Sequence, residues 1–194
     1  GNYGFIGALA DIRWFSSSAM TLVKENKGDR DSSYSSSRLA QATNGGTIDY
    51  RLTMNNTSST DNRLKLTVMD LLPQEGDLVS GGTERYSVWP AYLTGNNITV
   101  TLGGETLTPG QYKIYYYTGE IPAANSPDYS SFFGAVQEAQ DDCPDGWTET
   151  RPADTAIKAF IVAVNEEQIL ETTESLVVEY QTKVTDEEGK NYTA

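Results

Sequence analysis

The chain has no histidine, a single cysteine and no long apolar run, and each shortage closes a class of function. Without histidine there is no Ser-His or Cys-His nucleophile pair, no imidazole metal ligand and no side chain suited to general-base work near neutral pH. One cysteine, Cys143, makes no internal disulfide, so the fold is held by its core or by another kind of cross-link. No segment approaches the roughly 18 apolar residues of a membrane span, and no signal-peptide pattern is visible. An exported protein would then carry its signal and its anchor outside this segment. Positive charge is also scarce, with 14 basic against 27 acidic residues and a formal charge of -13. Such a surface repels phosphate backbones and anionic headgroups, so neither nucleic acid nor direct membrane insertion is expected.

What remains is 38% hydrophobic and 21% charged, rich in Ser, Thr, Asn and Gly, a mix that favours many short strands over helices. Period-two alternation marks them. Ile48, Tyr50, Leu52 and Met54 share one face of a strand while Asp49, Arg51 and Thr53 share the other. Leu64, Leu66 and Val68 alternate with Arg63, Lys65 and Thr67, and the polar stretch Asn55 to Asn62 between the two runs predicts an antiparallel hairpin. Further strands are predicted at Met20 to Glu25, Asn97 to Leu102, Tyr112 to Thr118, Ala156 to Val164 and Ser175 to Val184. Tyr129 to Gln140 instead spaces Phe132, Phe133, Val136 and Ala139 at helical intervals. The expected fold class is all-β, a β-sandwich with one short helix in a long inserted loop over 121–152. Residues 1–19 are expected to be a linker or an end strand from a preceding module, and 20–194 a single sandwich domain.

The string Gly-Gly-Thr-Ile-Asp-Tyr-Arg-Leu-Thr-Met-Asn-Asn-Thr from Gly45, followed by Leu-Lys-Leu-Thr-Val-Met-Asp-Leu-Leu-Pro over Leu64 to Pro73, resembles the repeat domains of Gram-positive cell-wall-anchored surface proteins. Leu22-Val23-Lys24 lies where such repeats often carry a first-strand lysine, and Trp89 to Gly95 with Tyr112 to Tyr117 is similar to the middle of larger versions. The resemblance implies an immunoglobulin-like module of an adhesin or fimbrial stalk on the bacterial cell surface. It would be extracellular, non-catalytic and strung between neighbouring modules of the same polypeptide, with a host protein or glycan as a further partner and no cofactor.

Modules of that kind sometimes form a lysine-to-asparagine isopeptide bond, which implies a site in this chain. An inward lysine loses its charge more readily, and an inward acid keeps its proton. By period-two counting, Lys24 shares a face with Met20 and Leu22, and Asp70 shares one with Leu64, Leu66 and Val68. The acceptor is open between Asn56, which continues the face of Ile48 to Met54, and Asn191, where the family places its acceptor. The plainer alternative has Lys24 reaching solvent and Asp70 capping a turn.

Three other groups stand out. Asp141, Asp142 and Asp145 crowd one loop and offer oxygen ligands to calcium, or with Glu149 a carboxylate pair, although a solvated acidic loop is the simpler reading. The same aspartates flank Cys143 and disfavour a reactive thiolate. Tyr129, Phe133 and Trp147 are candidate ligand contacts, and exposed aromatics make a carbohydrate-binding module of a secreted protein the rival to the stalk reading.

Overall fold

The computed structural model describes residues 4–6, 20–43, 45–76, 78–79, 83–84, 90–95, 98–123 and 126–184. In chain order the strands are β1 (Gly4–Ile6), β2 (Met20–Gly28), β3 (Ala40–Ala42), β4 (Thr47–Asn56), β5 (Thr67–Leu71), β6 (Leu78–Val79), β7 (Thr83–Glu84), β8 (Ala91–Leu93), β9 (Thr99–Leu102), β10 (Glu105–Thr106) and β11 (Tyr112–Tyr117). Two short helices follow, α1 (Asp128–Phe132) and α2 (Ala135–Glu138), then a 3-10 turn over Asp154–Ala156, β12 (Ala159–Val164) and β13 (Ser175–Val184). The fold is of the all-β class, and among the described residues every strand pairing is antiparallel.

The larger sheet has the order β10-β9-β13-β4-β2, with β8 on the same edge of β13 as β9 but farther along it. β4 and β13 alternate between core and half-exposed positions, as period-two patterning requires of a sheet with one buried face. Ile48, Tyr50, Leu52 and Met54 point inward with Leu176, Val178 and Tyr180. On the outer face Arg51 bonds Glu179 at 2.9 Å and lies 3.8 Å from Glu25, while Gln181 donates to Asp49. β3 lies close against the end of β2 because Gly28 has no side chain: a Cβ there would sit 2.0 Å from the Gln41 carbonyl oxygen.

The second sheet, β11-β12-β5, contributes Tyr116, Phe160, Val162 and Val68 to the same core. Every residue of β12 is buried, because the far face of this sheet is covered as well. There Met69, Tyr115, Ala159, Ile161 and Ala163 meet Tyr129, Phe133, Ala135, Ala139 and Trp147 of the inserted loop, which makes a second core. The molecule is thus three layers deep.

Three sequence expectations need correction. The runs around β4 and β5 are not a hairpin: β4 lies between β2 and β13, whereas β5 pairs with β12 in the opposite sheet. Period-two counting assigns a face but not a partner, and here the connection crosses from sheet to sheet. Leu64 does not share the inward face of Leu66 and Val68, since Lys65 has a φ of 53° that interrupts the alternation and leaves Leu64 55% exposed. The expected helix over Tyr129 to Gln140 is two helices, because the Gly134 and Val136 amides bond carbonyls three residues back and tighten the chain between them. Within 1–19, expected to be a linker or an end strand, residues 4–6 form β1 and pair with β3.

Candidate functional site

Period-two geometry turns Lys24 of β2 into the core, and its register partner is Leu52. One inward position farther along, Asn26 of β2, Tyr50 of β4 and Tyr180 of β13 form a row across the sheet. On the facing sheet, Asp70 of β5 lies opposite Phe160 of β12 and also points into the shared core. Lys24 Nζ comes within 2.6 Å of Asp70 Oδ1, and the two side chains are only 2% and 1% exposed. The Tyr180 hydroxyl donates to the other carboxylate oxygen at 2.5 Å. Both oxygens of Asp70 are therefore engaged, one from each of two strands of the larger sheet.

The aromatic surroundings complete the setting. Tyr50 and Tyr180 stack with centroids 5.0 Å apart and planes 12° from parallel, and Phe160 meets Tyr180 edge-on at 4.9 Å. Lys24 Nζ lies 4.9 Å from the centre of the Tyr50 ring. The ammonium thus has a carboxylate on one side and the negative face of a ring on another, the two arrangements that offset loss of water around a buried cation. In a medium of low polarity the pair is strongly coupled, and it ties β2 to the opposite sheet.

Of the four residues that the sequence offered for a cross-link, the structure brings Lys24 and Asp70 together. Asn56 is elsewhere. It is opposite Met20, four residues along β4 from Leu52, and its amide donates to the carbonyls of Asp61, Leu170 and Glu171 while its oxygen accepts from the Ser58 amide. Asn56 therefore holds a turn closed and is not an acceptor for Lys24. Asn191 lies outside the described residues. The sequence reading missed Tyr180 as the third member, although the alternation of Ser175 to Val184 marks it as inward.

Tyr129, Phe133 and Trp147 are not a contact surface. They are 5%, 6% and 9% exposed and fill the second core, where Tyr129 meets Phe133 edge-on. Only Tyr117 and Phe132 of this aromatic group are half-exposed, and their rings cross at 70°.

Compared with known proteins, the chain matches no family model, no curated protein and no solved structure.

The acidic loop has no metal-binding geometry. Asp141, Asp142 and Asp145 are all exposed, Asp141 bonds Lys65 at 2.8 Å, and Asp142 accepts from the Cys143 amide. Among the described residues no cluster of three or more histidine, cysteine or acidic side chains is arranged to hold a metal ion. Burial pushes the Cys143 thiol up, and Asp142 and Glu149 push it further. No helix among the described residues is long and apolar enough to cross a membrane.

Proposed function

We propose that the chain is a structural or adhesive module of a larger bacterial cell-surface protein, an immunoglobulin-like sandwich that works without catalysis. The observation that carries this reading is the Lys24–Asp70–Tyr180 centre, which is closed to solvent and joins the two sheets. Its role is to hold the sandwich, not to meet a substrate. A charge of -13 suits an exposed surface module and disfavours nucleic acid as a partner; neighbouring modules and a host protein or glycan are the partners this role implies. The rival, a carbohydrate-binding module, is disfavoured because sugar rings stack on exposed, flat aromatic platforms and Tyr129, Phe133 and Trp147 of the inserted loop are packed inside. The test is accessibility on intact cells of the source organism. Antibody against the folded module should label them without lysis, and an epitope reached only after lysis would sink the surface reading.

The 2.6 Å contact favours a second, compatible step, a covalent Lys24–Asp70 amide. A proton passes from the ammonium to the carboxylate, the neutral amine attacks Asp70 Cγ, and one carboxyl oxygen leaves as water. Tyr180, bonded to Oδ2, polarises the carboxyl as it is attacked. The amide removes one water from the intact mass and blocks tryptic cleavage after Lys24. An unmodified mass with normal cleavage there removes this step and leaves the ion pair.

A further inference from the structure

Strand direction gives the module a preferred axis of strength. β2 and β13 are both antiparallel to β4, which lies between them, so they run in the same direction. The chain enters β2 at Met20, opposite Asn56, and leaves β13 at Val184, just past the pairing of Lys183 with Thr47. Entry and exit therefore lie at opposite ends of the three-strand ladder. We infer that β2-β4-β13 is a shear clamp, which bears tension applied between Met20 and Val184 by loading all nine register pairs on each side of β4 together.

The clamp has a weaker side. β13 is held by β4 along one edge and by β9 and then β8 along the other. β2 is held by β4 along one edge, and among the described residues its other edge meets the bridge from Asn26 to Ser35 and the short strand β3 beside Gly28. Lys24 projects from this less supported strand, and its bond to Asp70 ties β2 to a sheet outside the load path. The pin is thus on the strand that tension would strip first. Peeling β2 from one end breaks its bonds one at a time, whereas sliding it along β4 breaks them together.

This inference deepens the structural reading by naming the load the module resists, and it is tested on purified protein, so it stands or falls separately from display on a cell. In a Cys143→Ala background, attachment points are introduced in pairs at exposed positions. Thr21→Cys with Lys183→Cys pulls the ladder in shear, and Thr21→Cys with Thr57→Cys unzips β2 from β4. Single-molecule pulling should give a rupture force several-fold higher for the first pair. Equal forces in the two geometries would overturn the clamp. Adding Lys24→Met and Asp70→Leu should lower the shear force; an unchanged value would remove the pin from the clamp.

Discussion

Replacing Lys24 with methionine keeps most of the side-chain volume and removes the charge, leaving the Asp70 carboxylate with one fewer partner in a site 1% exposed. Breaking one side of a buried ion pair costs about 3–5 kcal/mol, because the remaining charge has lost its compensation. Removing both charges, with Lys24→Met and Asp70→Leu together, should recover most of that loss. Asp70→Leu also takes the carboxylate from the Tyr180 hydroxyl, at about 1–3 kcal/mol, so adding Tyr180→Phe should recover more. Urea denaturation of the native chain and these three variants measures each step of the series. If the native chain carries the amide, the pattern changes in a defined way. A bond between residues separated by 46 positions would restrict the unfolded chain by about 4 kcal/mol on the loop-closure reasoning used for disulfides, and the apolar triple variant would stay below native by about that amount. A Lys24→Met protein as stable as native would refute both accounts, since each requires the lysine to be dehydrated and paired.

Trp147→Ala should destabilise the fold by about 3–5 kcal/mol, as expected for a large ring removed from a packed layer, with a lower thermal midpoint as the readout. Cys143 should react with iodoacetamide more slowly than a free thiol at neutral pH, and its rate-against-pH curve should be displaced upward, as burial, Asp142 and Glu149 together require. Tyr34 and Tyr115 should ionise above the ordinary tyrosine range, Tyr34 through burial and then Asp49 and Glu179, Tyr115 through burial and then Glu149. The folded state favours their neutral forms, so their contribution to stability is present at neutral pH and lost as pH rises from the ordinary tyrosine value through the raised ones; ultraviolet titration beside alkaline denaturation checks this.

The inward faces were legible in the sequence, because a strand's period of two is fixed by backbone geometry whatever its partner. Counting from Leu22 placed Lys24 in the core, and counting from Leu66 and Val68 placed Asp70 there. Pairing was not legible. Nothing in a single strand's alternation tells whether β5 follows β4 within one sheet or crosses to another, and the backbone break at Lys65 has no signature in residue type. The third layer had a signal that loop aromatics obscured: Ala159 to Val164 is apolar at every position, which a half-exposed strand does not allow. Tyr129, Phe133 and Trp147 are what covers its second face.

The buried pair raises a question that stability alone does not answer, because well-packed apolar residues would hold the same space at least as well. Register supplies a reason. β2 is an edge strand of the larger sheet whose inward residues include Met20 and Leu22, and a slip by two positions against β4 would keep every face assignment intact. Hydrophobic patterning does not penalise such a slip, since it discriminates only shifts by one. The charge pair does: moved by two, Leu22 or Asn26 faces Asp70 and Lys24 lies buried away from its carboxylate. Each misregistered state then carries a dehydrated charge without compensation, and the native register is the one in which both charges are paired. On this argument Lys24 and Asp70 select the register of β2, and tension along the strand, which pushes toward the same slip, meets the same penalty.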